Sequence, residues 1–310
     1  MLMHHGSTYK MVTAVSALQT GNVTVKEKIN DTGVYPKGHN PRCWIYDSRH
    51  IGHGYLNLTD AIKHSCNYFF FEMGNRIGIE NLNRYARQFG LGSKTGIELL
   101  GESAGILASP EITKTKGEVW TLGYTLSAAI GQGDNNFTPI QMAKYISILV
   151  NKGKQVNPSI VKSVINPDGT EVQKNEIQKE VNKRLGIETN TNQDIEISDE
   201  NLKAIMAGMK GVTSEAGGTA YGVFRNFNID IGGKTGSAQT GVNGERTNAW
   251  FVGFAPYTNP EIAVACIIEN GGTGAIACYP ARDVIAQYFG MNASKIEEDI
   301  TATPNVESDN

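Results

Sequence analysis

The sequence predicts a mixed α/β fold of the α+β kind, in which an antiparallel sheet is flanked by helices and adjoins an all-helical region. Through the first two thirds, apolar residues recur at helical spacing between start and stop signals; the last third changes to β-type runs separated by Gly- and Pro-containing turns. A chain of 310 residues with 40% hydrophobic content can also bury a substantial core.

Gly6-Ser7 opens a helical pattern in which Met11, Val12, Ala14, Val15 and Leu18 are apolar, with Gly21 placed to stop it. Ser7 is therefore expected at the start of a helix. Residues 22–55 are rich in Gly, Pro and polar side chains and read as a long surface excursion. A helix capped at Thr59 or Asp60 is expected to run through Ser65 to residue 71, followed by helices over 80–89, closed by Gly90, and 138–150, with Pro139 in its first turn. Residues 159–170 read as a hairpin around Pro167-Asp168-Gly169, 171–196 as polar and loose, and 198–209 as a helix capped by Ser198. Runs over 227–239, 248–255 and 262–269, separated by turn clusters at 241–246 and 256–260, predict a three-stranded meander that a helix over 280–289 closes. One domain is expected over 1–290, with a disordered acidic tail over 291–310.

A net charge of −3 without any basic run leaves no electrostatic footprint for a phosphate backbone, so nucleic acid is not an expected partner. No apolar run reaches the roughly 18 residues of a spanning helix. The first twenty residues do not read as a signal peptide, because Lys10 comes late and Thr13 and Ser16 interrupt the short apolar stretch. Four cysteines, Cys43, Cys66, Cys266 and Cys278, make neither a disulfide framework nor a CxxC metal pattern.

Three short motifs follow one another: Ser7-Thr8-Tyr9-Lys10, Ser65-Cys66-Asn67 and Lys234-Thr235-Gly236. Each alone is weak, since Ser159 with Lys162, Lys94-Thr95-Gly96 and Ser308-Asp309-Asn310 repeat the same spellings. Context separates them: Ser7 opens a helix where Ser159 precedes a strand, Lys234 lies in a strand where Lys94 follows a helix stop, and the last triplet is in the tail. Together and in this order they resemble the active-site set of penicillin-binding proteins and serine β-lactamases.

The chemistry of acyl transfer gives each residue type a purpose. A serine hydroxyl is a poor nucleophile, and an SxxK spacing puts a lysine one helical turn away, able to take its proton if burial lowers the amine's pKa. Ser7 is thus the expected nucleophile and Lys10 its base, with Ser65 relaying a proton to the leaving amine and Asn67 holding the donor peptide. Lys234 and Thr235 would face the substrate's terminal carboxylate, and Gly236 would let the substrate backbone approach. The resemblance further implies an oxyanion hole from the backbone N–H groups of Ser7 and Ser237.

The resemblance covers nearly the whole chain. Arg42-Cys43-Trp44, Gly52-His53-Gly54, Phe89-Gly90-Leu91-Gly92 with Thr95-Gly96-Ile97, Gly131-Gln132-Gly133 and Thr138-Pro139-Ile140-Gln141 are similar to class B enzymes, most of all the elongation-type PBP2 group. It implies a β-lactamase/transpeptidase-like sheet, a D,D-transpeptidase acting on peptidoglycan stem peptides, covalent capture of β-lactams, and partnership with a glycan polymerase and elongation-complex proteins. The parent protein would be anchored at the extracytoplasmic face of the cell membrane. That family carries an anchor, a pedestal domain and the first sheet strands before the serine motif, where this chain has Met1 to His5. An incomplete sheet with an exposed edge is therefore expected.

No cofactor is required for this chemistry. Asp31, Asp47, His53 and Cys66 are residue types that bind zinc, with Cys43 or His50 as substitutes if the loop runs differently, and a structural zinc is the one metal they suggest. The bland alternative is a small buried cysteine and a loop histidine. A class A β-lactamase would need a glutamate where Leu82-Asn83 is preceded by Ile79, so that rival lacks its deacylation base. A D,D-carboxypeptidase and a non-catalytic penicillin-binding module remain as alternatives.

Overall fold

The computed structural model describes residues 2–186, 193–240 and 246–291. Gly6–Tyr9 form a 3-10 turn that leads directly into α1 (Lys10–Gln19). Every residue of α1 from Lys10 to Leu18 is buried, which makes this the central helix. It packs against α4 (Asn67–Gln88) and α9 (Asp199–Ser214), while α3 (Leu58–Lys63) lies on α9.

The expected surface excursion over 22–55 is instead tied down. It contains β1 (Ile29–Asp31) paired antiparallel with β2 (Gly54–Leu56), and α2 (Trp44–Arg49) between them. Val23, Asp31, Tyr35, Cys43 and Ile45 are buried within it. The continuous helix expected from 59 to 71 is also corrected. Asn57, whose Oδ1 accepts the Asp60 N–H at 2.9 Å, caps α3, and the chain then breaks at Ser65, which has a φ of +53°. Cys66 caps the next helix by accepting the Phe69 N–H on Sγ at 3.3 Å. Within α4 a second break at Gly78, with a φ of +70°, separates off the helix expected over 80–89.

The helices α5 (Pro110–Thr115) and α6 (Leu122–Ala129) precede α7 (Pro139–Val150). Thr138 and Gln141 form a reciprocal capping box at the start of α7, with Pro139 in its first turn. Residues 159–170 close as a turn with one isolated bridge, Ile165 to Glu171, rather than as two strands, because their side chains are too exposed to bury a face. The stretch expected to be loose contains α8 (Lys174–Leu185), closed by left-handed Gly186. The short α10 (Tyr221–Phe224) precedes the sheet.

The central sheet has the order β3 (Gly232–Thr240), β4 (Arg246–Ala255), β5 (Ile262–Ile268), all antiparallel, as the meander predicts, although its first strand starts five residues later. β4 is buried from Asn248 to Ala255, the run expected of a strand covered on both faces. The Phe254 and Phe251 rings lie over Gly232 and Gly233, where a Cβ would strike them. The sheet is covered by α7, α9 and α11 (Cys278–Tyr288). The acidic tail and the tip of the β3–β4 turn lie outside the described residues, in which no helix is long and apolar enough to cross a membrane.

The serine turn is wedged between two backbones. Gly6 N–H donates to the Gly131 carbonyl at 3.1 Å, and a Cβ at Gly131 would collide with the Gly6 carbonyl oxygen. On the other side a Cβ at Gly6 would lie 2.6 Å from the Ser237 carbonyl oxygen. Gly131 has a φ of +76° and Gly101, with nothing within 4 Å of a Cβ, has one of +78°. Gly101→Ala should therefore cost only the left-handed strain of about 1–2 kcal/mol. Gly131→Ala adds a backbone collision, and its thermal midpoint should fall by at least about twice as many degrees as that of Gly101→Ala. Equal midpoints would show that the close approach does not exist.

Candidate active site

The three motifs meet at one cleft of ≈ 390 Å³, to which Ser7, Ser65, Asn67, Thr235 and Ser237 all contribute. Ser7 comes from the 3-10 turn, Ser65 and Asn67 from the junction of α3 and α4, and Thr235 and Ser237 from β3. The two motif lysines lie behind its wall, and both are fully buried. The decoys lie elsewhere: Lys94 is exposed, its neighbour Thr95 donates to the Glu102 carboxylate at 2.6 Å, and Ser159 donates to Glu98 at 2.5 Å. The triplet at 308–310 is outside the described residues.

Lys10 Nζ donates to the Ser65 carbonyl at 2.7 Å, to Ser65 Oγ at 3.2 Å and to Asn67 Oδ1 at 2.7 Å. Burial lowers this amine to about 8, against the nearby Cys43 and Cys66 groups, which favour its ammonium form. A lysine so placed can exchange protons near neutrality and links the first motif to the second. Ser65 is left-handed, a conformation that costs a non-glycine residue about 1–3 kcal/mol and that concentrates at functional sites. It is held there because its N–H donates to the Ile62 carbonyl at 3.1 Å and that of Cys66 to Ala61 at 2.9 Å.

Lys234 Nζ donates to the Thr235 carbonyl at 3.0 Å. Burial, and then the charge of Lys10, push it well below the ordinary lysine range. Ser237 Oγ accepts the Gly274 N–H at 2.9 Å, and its carbonyl accepts from Gln132 Nε2 at 3.4 Å. Gly236 accommodates the protein's own backbone, not the substrate's as expected. A Cβ there would lie 2.5 Å from the His5 carbonyl oxygen and 2.9 Å from Thr8 Cγ2, so the missing side chain makes room for the serine turn rather than for a ligand.

A second group of side chains sits directly behind Ser65. Asp31, Cys43, His53 and Cys66 each place one donor atom within 4.8 Å of the others. His53 Nδ1 is 2.7 Å from Asp31 Oδ2, Cys66 Sγ donates to the same oxygen at 3.2 Å, and Cys43 and Cys66 sulfurs are 3.9 Å apart. Asp47, expected among these residues, is not with them. It lies on the outer face of α2 with its side chain 58% exposed, 3.5 Å from Arg42 Nη1, because Cys43 N–H donates to the Gly33 carbonyl and turns the chain so that Ile45 faces inward. Cys43 takes its place, and His50 stays exposed beyond the end of α2. Hydrogen bonding with Cys66 and His53 lowers the Cys43 thiol, against the effect of its burial. Burial would lower His53, but the Asp31 carboxylate and Cys43 raise it to about 9.

Trp44, Gln132 and Thr219 also line the cleft and were not singled out as site residues. The first two stand in segments similar to class B enzymes, so a signal existed without a role. Thr219 had none, because only the turn after α9 brings it to β3. Trp44 touches both centres: its indole N–H donates to the His64 carbonyl at 3.1 Å and its ring meets His53 edge-on.

The peptidoglycan D,D-transpeptidase MrdA of Acinetobacter baumannii is 33% identical to this chain over 296 residues, 90% of the chain and 41% of that protein. Pseudomonas aeruginosa PBP2, solved in complex with WCK 5153, superposes with a TM-score of 0.79 at 33% identity, covering 93% of this chain and 61% of that one. Helicobacter pylori PBP2, solved in complex with MreC, gives a TM-score of 0.73 at 28% identity over 94% of this chain and 50% of that one. The chain thus spans about two fifths of the curated relative's length. Residues 3–286 match the penicillin binding protein transpeptidase domain, and the chain belongs to that family.

Proposed function

We propose that this domain is a serine D,D-transpeptidase that cross-links peptidoglycan stem peptides ending in D-Ala-D-Ala. The observation that carries the reading is the buried Lys10 amine, hydrogen-bonded to Ser65 and Asn67 behind a cleft to which Ser7 contributes. Ser7 Oγ attacks the penultimate D-Ala carbonyl while its proton passes to neutral Lys10. The N–H groups of Ser7 and Ser237 receive the oxyanion, and Thr235, with Lys234 behind it, receives the terminal carboxylate, whose arrival favours the charged lysine. On collapse the C–N bond breaks, the proton returns through Ser65 to the leaving D-Ala amine, and an ester on Ser7 remains. The amine of a second stem peptide then attacks the ester, gives its proton to Lys10, and the new peptide leaves as Ser7 regains its hydrogen. A β-lactam forms the same ester, but its leaving nitrogen stays tethered and obstructs the acceptor.

Transfer and hydrolysis differ in which acceptor, amine or water, reaches the ester, and the 33% identity to a peptidoglycan D,D-transpeptidase supports transfer. Residues 1–290 would form the catalytic unit. A glycan polymerase and elongation-complex proteins would be its partners at the extracytoplasmic face, a reading supported by the H. pylori neighbour's complex with MreC.

Asp31, Cys43, His53 and Cys66 fit a structural zinc: four buried or half-buried N, O and S donors converge, with His53 Nδ1 facing Asp31 at 2.7 Å and Cys43 at 3.5 Å. With all four protein ligands used, zinc would support the Ser65-Cys66-Asn67 segment and leave no position for a reacting water.

Ser7→Ala should abolish the intact-mass shift with penicillin while changing stability by less than about 1 kcal/mol. A shift in that variant would overturn the assignment. With Lys10 near 8, about one-tenth of it is neutral at pH 7, and protonation below that value removes the lone pair it needs. Second-order acylation by penicillin should therefore rise with pH through a midpoint near 8, and a flat profile from pH 6 to 9 would remove Lys10 as the base. Metal analysis of the purified chain should give close to one zinc, lost in Cys43→Ser and Cys66→Ser but kept in Asp47→Ala. Under about one-tenth equivalent in the wild type would return the cluster to ordinary loop and core.

A further inference from the structure

Thr219 Oγ1 lies 2.6 Å from Thr235 Oγ1, and both residues line the cleft. A separation this short is a direct O–H···O hydrogen bond. Two hydroxyls carry two protons, one of which is used between them. Among the described residues neither hydroxyl has another side-chain or backbone acceptor, so the pair keeps one O–H to offer to the cleft. That donor stands beside buried Lys234, whose Nζ donates to the carbonyl of the same Thr235.

Thr219 is also held in place. It follows Gly217, with a φ of +83°, in a turn folded back onto the end of α9, where Ala220 N–H donates to the Val212 carbonyl at 2.9 Å. A Cβ at Gly218 would collide with the carbonyl of Gly211, so this turn admits no side chain there. Thr213 Oγ1 donates to the Ile231 carbonyl at 2.5 Å, which registers α9 on the start of β3. The same turn reaches the residues just before the second motif: His64 Nδ1 is 3.2 Å from the Gly217 carbonyl, and Lys63 pairs with Glu215 at 2.7 Å.

We infer that Thr219 is a positioning residue of the carboxylate corner, fixing the Thr235 hydroxyl so that the pair presents one oriented O–H to the substrate's terminal carboxylate. The inference rests on the acyl-transfer reading and on Thr235 as the carboxylate's partner. Without Thr219, the Thr235 hydroxyl is free to rotate and must be ordered at the moment of binding. The effect falls on capture of the carboxylate rather than on the attack by Ser7.

The test compares acylation by benzylpenicillin and by its methyl ester, which lacks the carboxylate charge, in wild type, Thr219→Val, Thr219→Ser, Thr235→Val and the double valine variant. Losing one hydrogen bond to a charged group should lower second-order acylation of Thr219→Val by the acid about tenfold or more, chiefly through weaker prior binding. The ester should change much less, Thr219→Ser should recover most of the loss, and the double variant should be no worse than Thr235→Val, because the two act as one unit. A loss confined to the acid cannot come from misfolding; if the valine variant does not fold, Thr219→Ala is read the same way. Acylation of Thr219→Val by the acid at the wild-type rate, equal losses for acid and ester, or additive losses in the double variant overturn the inference alone. A wild type acylated by neither compound overturns the acyl-transfer reading and this inference with it.

Discussion

The contact on which the rest depends is between backbones. The turn that carries Ser7 is pressed between Gly131 on one side and β3 at Gly236 and Ser237 on the other, so closely that a Cβ at Gly131 or Gly236 would collide. Three glycines make that approach possible, and each would put a Cβ into a neighbouring carbonyl oxygen. The consequence is that the Ser7 turn and the Ser237 strand share a fixed separation, which acyl transfer needs if both N–H groups are to face one oxygen. Around this contact the buried His5 ring lies near Tyr9 and Phe137, and the Trp250 indole N–H donates to the His4 carbonyl at 2.7 Å. These contacts anchor the chain as it enters the turn.

Two fully buried lysines near one cleft are electrostatically costly, and both respond by losing basicity. The cost is uneven in its use. Lys10 is saturated with acceptors from the second motif and is brought near neutrality, where an amine can both take and return a proton. Lys234 makes its bond to a backbone carbonyl on its own strand and carries its charge most favourably when an anion arrives.

The Asp31–Cys43–His53–Cys66 cluster explains why a long, loop-rich segment can be ordered behind a strained serine. Cys66 is at once a cluster member, the cap of α4 and the middle residue of the second motif. Its neighbours carry opposite charges, with Asp31 held near 2 by the His53, Gly33 and cysteine hydrogen bonds that outweigh its burial, and His53 raised to about 9. Their attraction pins the loop against the start of α4, and Ser65 inherits its position from that junction.

What the sequence determined by itself was the type and order of elements and the order of the motifs. Periodicity marked α1, α7 and α9, the Thr138-Pro139 start was readable as a cap, and the apolar run of β4 identified a central strand, because these signals depend on residues within one or two turns of each other. The left-handed break at Ser65 was not readable, since Ser65 has no glycine-like preference and is forced there by the capping of two successive helices. Helix α8 was missed although Ile177, Val181 and Leu185 recur every four residues, because its remaining positions are polar and none is fully buried, so its composition reads as loose. The exchange of Asp47 for Cys43 and the pairing of Thr219 with Thr235 were decided by tertiary structure alone. Which donors meet depends on how a turn packs against a distant strand or helix, and residue spacing along the chain carries no record of that distance.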